Sequence, residues 1–175
     1  MKPEPIAIKR FNSTNITEYK NILATHYKPH ELSVIASLYF KHNKTVFLMT
    51  RHYETKFLLW KADHDEIIGY CIVEDIREFK PEERKYMSAL YSVPLDILDE
   101  YPTVISDFMI AKDLRRQGYG TKLADYVIVN NYPDVNMSLH AVQDGIYFWD
   151  KLRFKYVDGL DSVMIRNGED IKCEK

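Results

Sequence analysis

Residues 115–121 read Arg-Arg-Gln-Gly-Tyr-Gly-Thr, and this run is the most informative feature of the sequence. The residues before it, 104–111, are rich in β-branched and aromatic side chains and have the length of a strand. In the residues after it, 119–131, larger side chains recur three or four positions apart, which is the spacing of one helical face. The pattern therefore predicts a strand, a glycine-containing turn and a helix in direct succession.

The charge at the start of this predicted helix is unusual. Arg115, Arg116 and Lys122 crowd an end where the helix macrodipole disfavours each cation by about 0.3–1 kcal/mol. A bound anion would reverse that effect, because the unbonded N–H groups of a helix start also point at it. Gly118 and Gly120 would let the backbone approach such a ligand closely. We therefore expect a phosphate or pyrophosphate to bind at residues 115–121, here called the basic turn.

Two common phosphate-binding motifs do not fit the basic turn. A P-loop requires Gly-Lys-Ser/Thr, but Gly120 is followed by Thr and then Lys. A dinucleotide fingerprint requires a third glycine where this chain has Leu123. The pattern that fits is Arg-x-x-Gly-x-Gly, from Arg115 to Gly120, and it resembles the acyl-CoA signature of the GNAT superfamily of N-acyltransferases. A solvent-exposed basic turn with no ligand is the alternative.

Two further segments carry the same resemblance. Residues 106–110, Ser-Asp-Phe-Met-Ile, are similar to the central strand of the family, and residues 145–154 are similar to its late helix. The three matches together span residues 104–158. The resemblance implies an acetyl-CoA-dependent N-acetyltransferase that transfers the acetyl group to a primary amine of a small molecule or protein by direct attack, without a metal.

The resemblance also implies which residues bind coenzyme A. The phosphates would contact the backbone N–H groups of 117–121 and the two arginine side chains of the basic turn. The backbone of 108–110 would pair with the pantetheine arm, and the Ile110 N–H would point toward the thioester oxygen. The predicted coenzyme A contacts are Phe108, Met109, Ile110, Arg115, Arg116, Gln117, Gly118, Tyr119, Gly120 and Thr121.

Asp107 is the first catalytic candidate, because it interrupts an otherwise apolar strand. Burying a carboxylate without a partner is costly, so this residue has a specific environment. By the resemblance it corresponds to an acidic residue that contacts the substrate amine in several relatives. A carboxylate there could also take a proton from the ammonium group. The alternative is that Asp107 lies at a β-bulge and binds backbone N–H groups.

The late helix departs from the family pattern. Trp149 replaces the tyrosine that usually protonates the leaving thiolate, and an indole N–H is not a usable acid. Tyr147 lies about 200° around the helix from it and cannot simply take over. The family's frequent asparagine before this helix is Val142 here. Three explanations remain open: the thiolate leaves unaided, Tyr156 serves as the acid, or the protein is a non-catalytic acyl-CoA-binding or interaction protein.

Composition places the chain among globular proteins. Its 175 residues suit a single domain over 1–175, and its 46% hydrophobic content excludes a disordered chain. A formal charge of −2 gives no field that favours nucleic acid. The two cysteines form no disulfide framework, and no signal peptide or membrane span is predicted. We expect a cytoplasmic protein that binds acetyl-CoA and an amine acceptor, without nucleic acid or membrane, and leave a homodimer open.

The order of elements predicts the fold class. Strands are predicted at 6–11, 57–61, 67–74, 104–111, 136–142, 155–157 and 162–166. Helices are predicted at 14–27, 31–40, 119–131 and 144–153, with 77–101 helical or irregular. This order is typical of a mixed α+β domain with a central, mostly antiparallel twisted sheet of about seven strands and about four helices. A parallel, splayed strand pair is expected at the acyl-CoA site.

Overall fold

The computed structural model describes residues 6–12, 54–61 and 66–168 of the chain. Seven strands lie in these residues: β1 Ile6–Phe11, β2 Glu54–Lys61, β3 Glu66–Asp75, β4 Thr103–Ile110, β5 Met137–His140, β6 Lys155–Tyr156 and β7 Val163–Arg166. The α-helices of the same residues are α1 Pro81–Tyr91, α2 Leu95–Glu100, α3 Tyr119–Asp125 and α4 Ile146–Lys151. Short 3-10 turns occur at Ile76–Glu78, Lys112–Leu114 and Gln143–Gly145.

The seven strands form one sheet in the order β1-β2-β3-β4-β5-β7-β6. The pairs β1/β2, β5/β7 and β6/β7 are antiparallel, whereas β4 and β5 are parallel. The mixed α+β fold, the mostly antiparallel sheet and the parallel pair are confirmed.

The chain divides into two compact units, each made of two segments. The first unit consists of Met1–Ile72 and Phe108–Leu123, and the second of Val73–Asp107 and Ala124–Lys175. Strands β3 and β4 therefore contribute residues to both units. The single-domain interpretation of residues 1–175 stays a prediction.

In the first unit, β2 is buried along most of its length. Phe57, Leu58, Leu59 and Trp60 are all buried, as expected of an inner strand covered on both faces. The strand pairs with β1 from Ile6↔Lys61 to Phe11↔Lys56. The same strand buries an ion pair, in which the Lys56 Nζ lies 3.9 Å from a Glu54 carboxylate oxygen.

The core of the second unit is an apolar cluster beneath α1 and α2. Its buried members are Ile76, Val93, Leu98, Val104 and Val163. Helix α1 begins at Pro81. Proline suits the first helical position because it has no N–H, and an N–H at that position would have no intrahelical acceptor. The helix ends at Tyr91, and its C-cap Ser92 has a left-handed φ of 54°. The Tyr91 hydroxyl donates to the buried carboxylate of Glu74, which attaches the end of α1 to β3.

A charged pair follows β3. Burial alone would raise the pKa of the Asp75 carboxyl, but hydrogen bonds from the Arg77 guanidinium and backbone outweigh it and lower that pKa. Arg77 donates through its Nε at 2.9 Å and its backbone N–H at 3.0 Å to the same carboxylate oxygen. The pair therefore fixes the turn that leads from β3 toward α1.

Several predicted boundaries differ from the structure. The helix predicted at 119–131 is α-helical only to Asp125 and continues as a π-helical segment, Tyr126–Asn131. The Asn131 side chain donates to the Tyr126 carbonyl at 2.9 Å, which helps to close this wider turn. Within this segment Val127 and Ile128 are buried, whereas Asn130 is exposed. The region 77–101 contains two helices, with Pro94 as the N-cap of the second.

The predicted helices at 14–27 and 31–40 lie outside the described residues. No helix of the residues that are described is long and apolar enough to cross a membrane.

Candidate active site

The basic turn has an unusual backbone. Arg115 is extended, with φ −66° and ψ 155°, but Arg116 has φ 64° and Gly118 has φ 85°. Such left-handed residues turn successive N–H groups toward a common side, and this arrangement is used for anion binding. A Cβ added at Gly118 would meet no atom within 4 Å, so its backbone angle, and not the space around it, favours glycine.

At the start of α3, several N–H groups have no backbone acceptor in the part of the chain that the structure describes. The Lys122 N–H donates to the Gly118 carbonyl at 3.0 Å, which is the first intrahelical bond. The N–H groups of 118–121 precede it, and no backbone acceptor for them occurs among the described residues. Such groups and the positive end of the helix dipole form a suitable environment for phosphate.

The cations of the turn have different roles. The Arg115 Nε donates to the Ile110 carbonyl at 3.1 Å and so attaches the turn to the end of β4. The Gln117 side chain donates to the Asp113 carbonyl at 3.1 Å and supports the turn from the other side. Arg116 and Lys122 are exposed. The turn is thus held by Arg115 and Gln117, and its accessible positive charge comes from Arg115, Arg116 and Lys122.

Strand β4 contains an extra residue relative to β3. The Ala111 N–H donates to the Ile68 carbonyl at 2.8 Å, and the Ile76 N–H donates to the Pro102 carbonyl at 3.0 Å. Between these bonds β3 advances eight residues, from 68 to 76, while β4 advances nine, from 102 to 111. One unmatched residue in an antiparallel pair is a β-bulge, a feature that is common beside active sites.

The exposure of β4 is also irregular for an inner strand. Residues 103–105 are buried, but the four positions 106–109 are all half-buried, so both faces of the strand are partly accessible there. These positions include Asp107, Phe108 and Met109. The bulge lies in the range that contains Asp107. Both interpretations of Asp107, as a contact of the acceptor amine and as a residue at the bulge, stay predictions.

The pairing of β4 with β5 ends early. The register covers only Thr103↔Met137 and Val104↔Ser138, although β4 continues to Ile110. This short parallel pairing is the arrangement that a splayed strand pair requires.

Gly69 on β3 was missed by the sequence prediction. A Cβ at this position would lie 2.9 Å from the Met109 carbonyl oxygen and 3.6 Å from the Ile110 Cα. Glycine therefore lets β3 approach the backbone of two predicted coenzyme A contacts. The signal was present in the sequence, because a glycine inside a strand often marks a close backbone approach.

In the second unit, the Trp149 side chain is buried. Its ring contacts the Phe148 and Phe154 rings edge-on, with centroids 4.9 and 5.4 Å away. The Trp149 carbonyl accepts the N–H groups of Leu152 and Phe154 at the end of α4. Tyr147, two residues earlier, is 69% exposed and lies on another side of the helix, as predicted.

Tyr156 lies in an open cleft of about 610 Å³ in the second unit. The cleft is lined by Gln143, Ile146, Tyr156, Val157 and residues 158–162. The carboxyl-bearing residues of this lining, Asp158 and Asp161, were not singled out from the sequence. The dipeptide Asp158-Gly159 between two strand-like segments is a hairpin signal that would have drawn attention to this loop.

The structure thus brings residues 108–110 and the basic turn together in the first unit. Asp107 is the last residue of its segment of the second unit, which also contains Trp149 and Tyr156.

Comparison with known proteins identifies the family. A model of the acetyltransferase (GNAT) family matches residues 20–131, which is more than half of the chain and includes β4, the basic turn and α3. The chain belongs to the GNAT family. Acyl-CoA-dependent acetyl transfer is the general activity of GNAT acetyltransferases.

Solved structures share the GNAT fold with this chain at low sequence identity. Escherichia coli ElaA is 16% identical with a TM-score of 0.52, and the alignment covers 93% of this chain and 100% of ElaA. The KacTA–DNA complex gives 14% identity and a TM-score of 0.59, with 96% of each chain covered. AtaTR bound with acetyl-CoA gives 10% identity and a TM-score of 0.55, with 95% of this chain and 96% of the AtaTR chain covered. No curated protein sequence matches this GNAT chain.

Proposed function

We propose that this protein is an N-acetyltransferase that transfers the acetyl group of acetyl-CoA to a primary amine. The observation that carries the proposal is the basic turn, where the N–H groups of 118–121, which have no backbone acceptor among the described residues, lie beside the exposed cations Arg116 and Lys122. The turn follows β4, the strand expected to bind the pantetheine arm, after the short 3-10 turn Lys112–Leu114. The structure of AtaTR with acetyl-CoA, a neighbour in fold, supports the choice of donor.

In this proposal the diphosphate and the pantetheine arm of coenzyme A bind different parts of the first unit. The diphosphate binds the N–H groups of the basic turn and the side chain of Arg116. Arg115 acts chiefly through the turn, since its Nε already bonds the Ile110 carbonyl. The backbone of Phe108, Met109 and Ile110 binds the pantetheine arm, which the early end of the β4/β5 register supports.

The reaction is a direct attack by the unprotonated amine. Its nitrogen forms a bond to the acetyl carbonyl carbon, the carbon–sulfur bond breaks, and the thiolate of coenzyme A leaves. Positioning of the two reactants alone supplies about 7–11 kcal/mol of such a barrier. Asp107 anchors the ammonium group or accepts its proton. The thiolate leaves unaided or takes a proton from Tyr156, since a thiol pKa is about 8.5.

A second candidate function is favoured by one observation. The indole of Trp149 is packed against Phe148 and Phe154, and it supplies no acid. A protein that binds acyl-CoA without turning it over would also fit this arrangement.

Release of free thiol from acetyl-CoA with a panel of amines separates the two candidates. The panel contains polyamines, amino acids, aminoglycosides and peptides with a free N-terminus or a lysine. We expect thiol release that depends on one class of acceptor and rises with pH as the amine loses its proton. A protein that binds acetyl-CoA tightly but releases no thiol with any amine would instead be the non-catalytic binder.

The nature of the acceptor is proposed only as a class. KacTA was solved in a complex with DNA. The formal charge of −2 on this chain favours a small molecule or protein amine over a nucleic acid. We also propose a cytoplasmic location, and leave a homodimer open.

Asp107→Asn tests the role of the strand carboxylate. The substitution keeps the shape and removes the charge, so kcat/KM for the amine should fall about 10²–10⁴-fold. Acetyl-CoA affinity should be unchanged, because Asp107 is not expected to contact the donor phosphates. Asp113→Asn, an exposed carboxylate in the Lys112–Leu114 turn, is the matched control. Full activity with a lower melting temperature would favour the bulge interpretation.

A further inference from the structure

A smaller cleft of the second unit lies where the end of α3, the end of α4 and β7 come together. Its lining consists of Asp125, the π-helical residues 128–129, residues 151–153 at the end of α4, and Arg166 of β7. All of these residues belong to the second unit, and none of them is part of the proposed donor site. The cleft has a volume of about 210 Å³, which suits a small organic ion. We call it the arginine cleft.

The charge of the arginine cleft is mainly positive. Lys151, Arg153 and Arg166 line it, and Asp125 is the only carboxylate among the lining residues that the structure describes. The Lys151 Nζ lies 4.3 Å from the centre of the Tyr147 ring, so this ammonium group already has an aromatic partner. The two guanidinium groups are therefore the better candidates to contact a ligand, and the ligand that complements them is an anion.

Arg166 is a buried arginine, only 1% exposed, that nevertheless lines the cleft. Burying a guanidinium is costly unless acceptors surround it. Its Nη2 donates to the Pro133 carbonyl over a long distance of 3.5 Å, and the residue has further contacts. Its Nη1 is also buried, but that atom has no hydrogen-bond acceptor in the part of the chain that the structure describes. A carboxylate in the cleft is a suitable acceptor, because a guanidinium can bind both of its oxygens at once.

Arg153 brings a second guanidinium to the cleft from an unusual backbone. The Phe154 N–H bonds the Trp149 carbonyl at 3.1 Å. The Arg153 N–H bonds the Asp150 carbonyl at 2.9 Å, and the two bonds form the Schellman motif that ends a helix. Glycine is the usual residue at the left-handed position of this motif, but here Arg153 occupies it with a φ of 67°. A cation also suits the negative end of a helix dipole, but that effect does not extend to Arg166 on β7.

The apolar part of the cleft suits a short hydrocarbon chain. Ile128 is buried, Leu152 is half-buried and Val129 is 47% exposed, and all three line the cleft. Inorganic phosphate would leave these side chains uncovered, whereas a carboxylate with an alkyl chain removes them from water. The wall that carries Ile128 and Val129 is the π-helical segment, and such segments occur frequently at functional sites.

We propose that the arginine cleft binds a small organic acid, namely a monocarboxylate with a short alkyl chain. Its carboxylate contacts the guanidinium groups of Arg153 and Arg166. Its alkyl chain lies against Ile128, Val129 and Leu152. The site gives the protein a second ligand besides the acetyl-CoA of the proposed function, and its occupation does not require acetyl transfer.

Calorimetric titration of the unchanged protein without acetyl-CoA tests the cleft directly. The probe is pentanoate, compared with 1-pentanol, which has the chain but no charge, and with inorganic phosphate, which has the charge but no chain. We expect pentanoate to bind with a dissociation constant on the order of 1 mM, because a ligand of this size makes few contacts. The alcohol and phosphate should each bind at least about fivefold more weakly. The affinity for pentanoate should fall as ionic strength rises.

Arg153→Asn is the main variant, because asparagine tolerates the left-handed backbone and removes the charge. Its unliganded melting temperature should be unchanged or slightly higher, and pentanoate should bind about three- to tenfold more weakly. Arg166→Met should weaken binding about tenfold or more. The matched control is Lys155→Gln, which removes an exposed cation that does not line the cleft and should keep the full affinity. If Arg166→Met does not fold in a thermal melt, Arg153→Asn and its control decide the test.

Binding of pentanoate at the basic turn is the main alternative, since that turn also carries cations. Arg116→Asn should therefore leave the pentanoate affinity unchanged, and Arg153→Asn should keep the melting shift produced by acetyl-CoA. Equal affinity of pentanoate with 1-pentanol or with phosphate would overturn the inference. So would no pentanoate binding, an unchanged affinity in Arg153→Asn, or an equal loss in Arg116→Asn or Lys155→Gln. If acetyl-CoA produces no melting shift while pentanoate still binds at Arg153, the proposed function fails and the arginine cleft stands.

Discussion

Arg116 meets two demands at one position: a left-handed backbone and a positive charge. Its φ of 64° is a left-handed conformation that a residue with a Cβ adopts at a cost of roughly 1–2 kcal/mol. Asparagine or glycine would adopt it more easily, yet the sequence has arginine here. The position therefore favours positive charge over an unstrained turn, which is expected if an anion binds there.

Arg116→Asn separates these two demands. Asparagine tolerates the left-handed backbone and removes the charge, so the unliganded melting temperature should be unchanged or slightly higher. The stabilisation by acetyl-CoA is about 2.7 kcal/mol at a hundred times its dissociation constant and should largely disappear at the same concentration. Thermal melts with and without ligand measure both effects. Lys112→Gln, an exposed cation outside the basic turn, should keep the full shift. An undiminished shift in Arg116→Asn would place the ligand elsewhere.

Trp149 is expected to matter for stability more than for rate. Trp149→Ala should lower the free energy of unfolding by about 3–5 kcal/mol, because the ring packs between two aromatic neighbours. Trp149→Phe keeps a ring and should leave the acetyl-transfer rate within about tenfold, since one weak donor is worth about 1 kcal/mol. Urea unfolding and initial rates measure the two quantities. A loss of several hundredfold in a folded Trp149→Phe protein would mean that the indole acts in the reaction.

At the scale of elements, β3 and β4 depend on each other at Gly69. In Gly69→Ala the new methyl would lie 2.9 Å from the Met109 carbonyl oxygen and must displace β4 or its own strand. We expect a loss of about 1–3 kcal/mol in unfolding free energy and weaker acetyl-CoA binding, because 109–110 belong to the proposed pantetheine site.

Gly145→Ala is the matched control for Gly69→Ala. Its Cβ would lie 3.5 Å from the nearest atom, a Val142 methyl, which is an ordinary contact. Melting temperature and acetyl-CoA affinity are measured for both variants. If Gly69→Ala binds acetyl-CoA as tightly as the unchanged protein, β4 at 109–110 is not part of the donor site.

The periodicity of the sequence predicted the positions of the strands and helices better than it predicted their internal geometry. The strand at 6–11 was placed correctly, as a short run that contains the β-branched residues Ile6 and Ile8. The helix at 119–131 was found, but its π-helical second half was not, because the wider turn depends on packing and on the Asn131 side chain. The bulge in β4 was equally hidden, since it is a property of two strands and not of one sequence.

The part of the candidate site that is formed by one continuous segment was predictable from the sequence. Residues 115–121 carry their own signal, because glycine spacing and charge act within one turn. Gly69, Asp158 and Asp161 are brought to their positions by strand pairing and by a hairpin. Local signals mark a close backbone approach at Gly69 and a hairpin at Asp158-Gly159, but the residues that these positions contact depend on strand pairing and follow only from the structure.

At the scale of the whole molecule, stability should depend on pH through Asp75. The pKa of this carboxyl is lowered in the folded state by the hydrogen bonds from Arg77, which outweigh the opposing effect of burial. The pair therefore stabilises the fold above about pH 4, the unfolded value, and loses this contribution as the pH falls through the folded value.

Asp75→Asn should remove that dependence. The stability difference between the two proteins should be largest near neutral pH and should shrink as the solution becomes acidic. Urea unfolding at a series of pH values measures it, with Asp96→Asn in α2 as an exposed control. A difference that stays constant with pH would mean that the ion pair does not set the pH dependence.

The alternation of the two compact units along the chain has a consequence for synthesis. The first unit is complete only when Leu123 has been made, and by then the second has already begun at Val73. A nascent chain that ends at residue 107 would hold an incomplete part of each unit. Folding from the N-terminus, which suits proteins with consecutive domains, therefore cannot finish one unit before the ribosome starts the other. For the same reason, no single cut in the gene divides this protein into two fragments that each contain a whole unit.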